Sequence, residues 1–162
     1  MVKRGHPSVL RLRNRARVLN VRLVKLSVKS DYAARAVFGL AARHHEGKAM
    51  RVESLATEQG IPPKYLVQIL IELKSQKIVR SVRGKEGGYL LARDPADISL
   101  GDVLRCIHGQ VFDSSGLSDS DCPAELRAAW DKLQSAVDKT ADSITFKKLV
   151  EERASKHEMY YI

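Results

Sequence analysis

The chain is predicted to be mainly α-helical with one small β wing, and three observations over residues 51–91 predict it. Two short helical patterns follow one another across a tight turn, and a basic hairpin comes directly after them. The loop of that hairpin, Arg83-Gly84-Lys85-Glu86-Gly87-Gly88-Tyr89, carries three glycines. Helix, turn, helix and wing in this order make a winged helix-turn-helix, to which the remaining sequence adds a long C-terminal helix.

Ser30 is placed to N-cap a first helix from Asp31 to about Arg43, with Tyr32, Ala36, Val37 and Leu40 on its inner face. A second helix covers residues 52–59 and stops at Gly60. The third opens at Pro62-Pro63, where the missing N–H groups cost nothing because first-turn donors have no helical partner. Within it Leu66, Ile69, Leu70 and Leu73 recur at three- and four-residue spacing and form a core-facing stripe. Lys64, Gln68 and Ser75 then point away. Residues 78–82 and 89–91 read as strands.

Beyond the wing, Ser99 and Asp102 have the spacing of a capping box, and Leu100, Val103, Leu104 and Ile107 give the next helix an apolar side that Gly109 ends. Residues 110–123, rich in Ser and Asp, read as a loop. A long helix over 124–140 carries Leu126, Trp130, Leu133 and Val137 in alternating four- and three-residue steps. This seam is either core or a partner surface. So short a chain has little left to cover it, and dimerisation is the preferred reading. Residues 145–152 read as one more helix, and the tail from Arg153 is expected to fray.

The chain reads as three parts: a basic extension (1–24), the winged helix-turn-helix (25–97) and a helical region (98–162) for dimerisation and, as a candidate, sensing. Residues 1–30 hold nine Lys or Arg and no acid, while the rest is balanced, so the net +9 sits in these first 30 residues, seven of the charges in the extension. Within the body, residues 64–93 hold seven basic side chains against two acidic, and residues 94–162 hold eight against thirteen. The basic segment coincides with the helix and hairpin, and an acidic remainder repelled by DNA would orient the encounter. Arginines at 11, 13, 15, 17 and 22 interrupt every apolar run of the extension, which excludes a signal peptide or membrane span there. The extension reads as a DNA-binding arm, as a basic tail without a role, or as sequence upstream of a start at Val24. The abrupt change in composition favours the last.

On the third helix, Gln68 can pair bidentately with adenine and Lys64 can neutralise a phosphate; the bland alternative is a solvated helix face. Arg83, with Lys85 close by in the same glycine loop, can enter a narrow minor groove or grip a phosphate, unless the hairpin is an ordinary turn with incidental charge. A nucleotide-binding loop would need a strand-to-helix context and a Gly-Lys-Ser/Thr signature, and neither is present. No carboxylate pair, nucleophile and base, or metal-ligand spacing points to an enzyme. His44-His45 sits at a helix end and His108 reads as structural. Cys106 lies on the apolar flank of its helix and reads as a buried, inert thiol. Its spacing from Cys122 fits neither a CxxC redox motif nor a zinc site, and two cysteines without a disulfide framework suit a reducing cytoplasm.

Residues 25–150 resemble the Rrf2 family of bacterial transcription regulators. The resemblance is carried by Lys25-Leu26-Ser27-Val28-Lys29-Ser30-Asp31-Tyr32-Ala33, by Lys64-Tyr65-Leu66-Val67-Gln68, and by Val82-Arg83-Gly84 with Gly87-Gly88-Tyr89-Leu90-Leu91. Ile98-Ser99-Leu100-Gly101-Asp102-Val103-Leu104 and Trp130 complete it. It implies a homodimeric winged-helix regulator, usually a repressor, whose long C-terminal helices cross; two-fold pairing suits a palindromic operator in double-stranded DNA. It further implies Lys64, Tyr65 and Gln68 on the recognition helix, Arg83 in the minor groove and Lys29 near the DNA backbone.

Cluster-binding relatives place three cysteines in the loop before the dimer helix, whereas that loop here holds only Cys122. The cysteine set for an iron-sulfur cluster is thus incomplete, and no metal ligand is assigned. Some relatives borrow an acidic residue from the first helix of the other subunit, and Asp31 occupies that position. Cys106, Cys122 and Asp31, with His108, therefore remain one sensor reading, beside a thiol switch at an exposed Cys122 and an Asp31 that merely favours a helix N-terminus. Asp119 and Asp121 would disfavour a thiolate at Cys122. The competing function is a protein-interaction module acting on a metabolic enzyme. Steep loss of binding with salt is expected only of DNA contacts.

Overall fold

Helix α1 (Val28–Ala42) runs through the middle of the structure, and its small residues allow other helices to close on it. Ala33, Ala36, Val37, Gly39 and Leu40 are buried there. A Cβ on Gly39 would lie 2.8 Å from side-chain atoms of Leu55 and Gln59, which marks the close approach of α2 (Val52–Gln59). This computed structural model describes residues 26–159, with side chains to residue 156; the basic extension read over residues 1–24 lies outside them. The N-cap of α1 is Ser27 rather than Ser30, because the Ser27 hydroxyl accepts the Ser30 N–H at 3.1 Å. Two serines three residues apart both suit the pattern. Ser30 instead lies inside the first turn, its buried hydroxyl shared with Ser27 and His108.

Gly60 ends α2 in the left-handed conformation, at φ 63°, and α3 (Pro63–Ser75) follows with Pro62 as its cap. Leu66, Ile69, Leu70 and Leu73 are fully buried, as their spacing demands. The end of α3 is unusual in using Lys77 at φ 55°, a position where glycine is the unstrained choice. There the Lys77 N–H reaches the Lys74 carbonyl and the Ile78 N–H reaches that of Leu73, both at 3.0 Å. Lys77→Gly is therefore expected to stabilise the protein by up to about 1 kcal/mol, as a rise in the urea midpoint.

Strands β1 (Val79–Val82) and β2 (Gly88–Leu91) pair antiparallel, with Val79 opposite Leu91 and Val82 opposite Gly88. Met50 extends the ladder, exchanging two 2.8 Å backbone hydrogen bonds with Tyr89. Helix α4 (Leu100–His108) starts with the expected capping box and ends at Gly109. The expected loop over 110–123 contains a short turn of helix, α5 (Ser115–Ser118), against which Trp130 packs.

Helix α6 (Ala124–Ser143) runs three residues past its expected end. Of the tail expected to fray, residues 153–159 are helix: α7 (Phe146–Met159) packs along α1, and the Arg153 guanidinium lies 5.6 Å from the Phe38 ring centre. Phe146 opens α7 from inside the core, and its N–H donates to the Ile98 carbonyl. One apolar core thus joins α1, α2, α3, the wing, Val103 of α4 and Phe146 of α7.

Candidate nucleic-acid interface

Lys64, Tyr65 and Gln68 are all exposed on α3, on the side away from its buried leucines. Tyr65 is partly held: its ring meets Tyr32 edge-on, with centres 5.7 Å apart, and Arg35 lies 5.9 Å from the Tyr32 ring centre. Lys74 donates to the Ser81 hydroxyl at 2.7 Å, tying α3 to β1. Lys29 has a partner already, Glu72 of α3 at 2.7 Å. Both side chains are about one-third exposed, so the pair contributes at most about 1 kcal/mol, and a phosphate can compete for the lysine.

Arg83 and Lys85 stand exposed at the wing tip, and neither they nor Lys64 have a carboxylate at ion-pair distance among the described residues. The tip is built rather than loose. Gly84 takes φ 108°, the Gly87 N–H closes the turn on the Gly84 carbonyl at 3.0 Å, and the Arg51 guanidinium donates to the Lys85 carbonyl at 2.9 Å. Arg51 and Met50, which fix the wing from outside it, carried no periodic signal. Each is an isolated position whose partner is a backbone group distant in sequence.

The C-terminal half holds the dimerisation and sensor candidates. Leu126 and Leu133 stay 46% and 42% exposed on α6, and Val137 is half-buried. Trp130, read as part of the same seam, is half-buried and stacks on Phe112 of its own chain at 6.5 Å and 30°. Arg105 joins α4 to α6, reaching Asp102 and Asp138 at 3.7 Å and bonding to Asp142. Its pKa is raised, first by the Asp142 hydrogen bond and then by the surrounding carboxylates, against the opposing effect of burial. Arg93, just past β2, adds a longer contact to Asp102 at 3.8 Å.

Cys106 is half-buried, and burial first, then the nearby Glu72 carboxylate, push its thiol up, with Lys29 opposing. That keeps it protonated at neutral pH and poorly nucleophilic. Cys122, expected to be exposed, is also half-buried; its carbonyl, with those of Asp119 and Ser120, accepts from the Arg127 guanidinium. Asp31 pairs with Arg35 at 2.8 Å, and His108 Nε2 bonds Ser27 and Ser30. Among the described residues no three His, Cys, Asp or Glu side chains of one chain gather to hold a metal ion. Nor is any described helix long and apolar enough to cross a membrane.

Comparison with known proteins agrees with this geometry. A family model described as an iron-dependent transcriptional regulator matches residues 26–152. A protein of Mycobacterium tuberculosis described as an HTH-type transcriptional regulator is 38% identical over 127 residues, covering 75% of this chain and 78% of its own. Among solved structures, the global cysteine regulator CymR of B. subtilis superposes with a TM-score of 0.72 at 28% identity, covering 80% of this chain and 98% of its own. T. potens IscR does so with a TM-score of 0.69 at 32% identity, covering 85% and 97%. Among the described residues of a single chain, no group of three or more such donors gathers that would match the iron in the family's description.

Proposed function

The chain belongs to the Rrf2 family of helix-turn-helix transcriptional regulators, and from that membership we propose that it is a homodimeric repressor reading a palindromic operator. In each protomer α3 lies in the major groove, with Gln68 on a base edge and Lys64 and Tyr65 on the flanking backbone. Arg83 enters the adjacent minor groove, with Lys85 on a phosphate. The observation that carries this reading is the set of uncompensated cations on two elements that the core fixes side by side, α3 and a glycine-built wing tied to it through Lys74 and Ser81. Lys29 joins by exchanging Glu72 for a phosphate.

Titration of operator and random duplexes at several salt concentrations tests the reading. Arg83→Ala should weaken operator binding, and Gln68→Ala should relax preference at one base position by about 1 to 3 kcal/mol. Equal losses on operator and random DNA would rule out the role of Gln68, and salt-independent binding would favour a protein-interaction module instead. Dimerisation is assigned to the exposed Leu126 and Leu133, with Val137 beside them, and Trp130 supports the seam from within its own chain. Leu126→Asp with Leu133→Asp should halve the mass seen in sedimentation, whereas an unchanged dimer would place the interface elsewhere. Signal response falls to the 110–123 segment and its thiol at Cys122, since Arg105 links the neighbouring helices α4 and α6.

A further inference from the structure

Lys64, Gln68, Ile71 and Ser75 follow one another along α3 at four- and three-residue spacing, so Ile71 stands in line with polar residues and opposite the buried leucines. Its side chain is 52% exposed. Burial does not explain an isoleucine at such a place, and neither does helix preference, because a β-branched side chain loses rotamer freedom that Lys, Gln or Glu would keep. Single exposed apolar residues are ordinary on protein surfaces. Here, however, Tyr65, Ile71 and Val82 place three large exposed apolar side chains on α3 and the strand packed against it, within a basic segment. The major groove offers one apolar feature to such a side chain, the C5 methyl of thymine.

We propose that Ile71 is a specificity-determining residue that packs against a thymine methyl in each operator half-site, about two turns along α3 from the end that carries Lys64. The proposal rests on the DNA-reading function above and adds to it a base that Lys64 and Gln68 do not select. An Ile–methyl contact excludes water from both partners and discriminates against cytosine, which has no methyl. It carries no charge, so its contribution is insensitive to salt.

The experiment uses an operator selected from a random duplex pool with the full chain, in which each thymine is replaced in turn by deoxyuridine, removing only the methyl. At one thymine per half-site the wild-type chain should bind about three- to fivefold more weakly, the equivalent of one buried methyl-sized group. Ile71→Ala, which removes the contact from both protomers, should bind the thymine operator about 10- to 25-fold more weakly, lose the distinction between thymine and deoxyuridine at that position, and keep it at any other. Ile71→Val, which retains a branched methyl surface, should keep part of it and guards against a folding defect in the alanine variant. Wild-type-like discrimination in Ile71→Ala overturns the proposal, as does a uniform loss on operator and random DNA or the absence of any methyl-sensitive thymine. Failure of the chain to select any duplex is a different result, because it removes the DNA-reading function itself and this contact with it.

Discussion

Gly88→Ala should detach the wing from the body, with a loss of about 2 to 4 kcal/mol in stability and at least tenfold in DNA affinity. A Cβ at this position would lie 2.3 Å from the Met50 carbonyl oxygen and 2.5 Å from its carbon, both backbone atoms that cannot turn aside. The residue also sits at φ 155°, where a side chain adds strain. Relief requires Met50 and Tyr89 to give up their paired hydrogen bonds, and with them the inner edge of the hairpin. Urea denaturation and operator titration read the two effects. Gly109→Ala is the control: it also has positive φ, at 81°, but open space around the added carbon, so it should cost only about 1 kcal/mol and leave DNA binding intact. Similar behaviour of the two variants would show that the Met50 contact does not hold the wing.

Phe146→Ala should be the most destabilising core truncation in the C-terminal half, at about 3 to 5 kcal/mol. The ring is 1% exposed and is the largest fully buried side chain. It stands where α7 leaves the core, next to the Ser99–Thr145 bridge, so its loss leaves a cavity and loosens the start of α7 together with the cap of α4. A small domain has only about 5 to 15 kcal/mol in total. A large drop in the urea midpoint is therefore expected, with α7 amides losing protection from hydrogen exchange. A loss below 1 kcal/mol would mean that the neighbouring side chains close over the gap.

Local rules carried the reading furthest where a residue's role depends on its neighbours in sequence. Gly60, Pro62-Pro63, the Ser99–Asp102 box and Gly109 lie where turn and cap chemistry place them, and the buried stripe of α3 follows from its spacing alone. The misses are tertiary. Ser27 and Ser30 both suit a cap by residue type, and only the structure shows the Ser30 N–H donating to Ser27 while the Ser30 hydroxyl is buried against His108, far along the chain. Trp130 shares the spacing of the exposed seam residues, and only the fold shows that Phe112 and α5 also pack against it. Residues 153–159 are polar enough to fray, and this stretch begins as helix where Arg153 meets Phe38 of α1. In the proposed interface, the exposure of Lys64, Gln68 and Arg83 could be read from sequence. The Glu72 that engages Lys29, and the Arg51 that braces the wing, needed the fold.

The cluster of Arg105 with Asp102, Asp138 and Asp142 lies towards one end of α6, whose 20 residues make a rod of about 30 Å. The apolar residue Leu126 is near the other end. A rod held in this way is a lever: a tilt of about ten degrees at the held end moves the free end by about 5 Å, more than the 3.4 Å rise between successive nucleotides. In the proposed dimer, a substitution among these four charged residues would alter the distance between operator half-sites that the protein accepts, although none of them lies on α3 or at the wing tip.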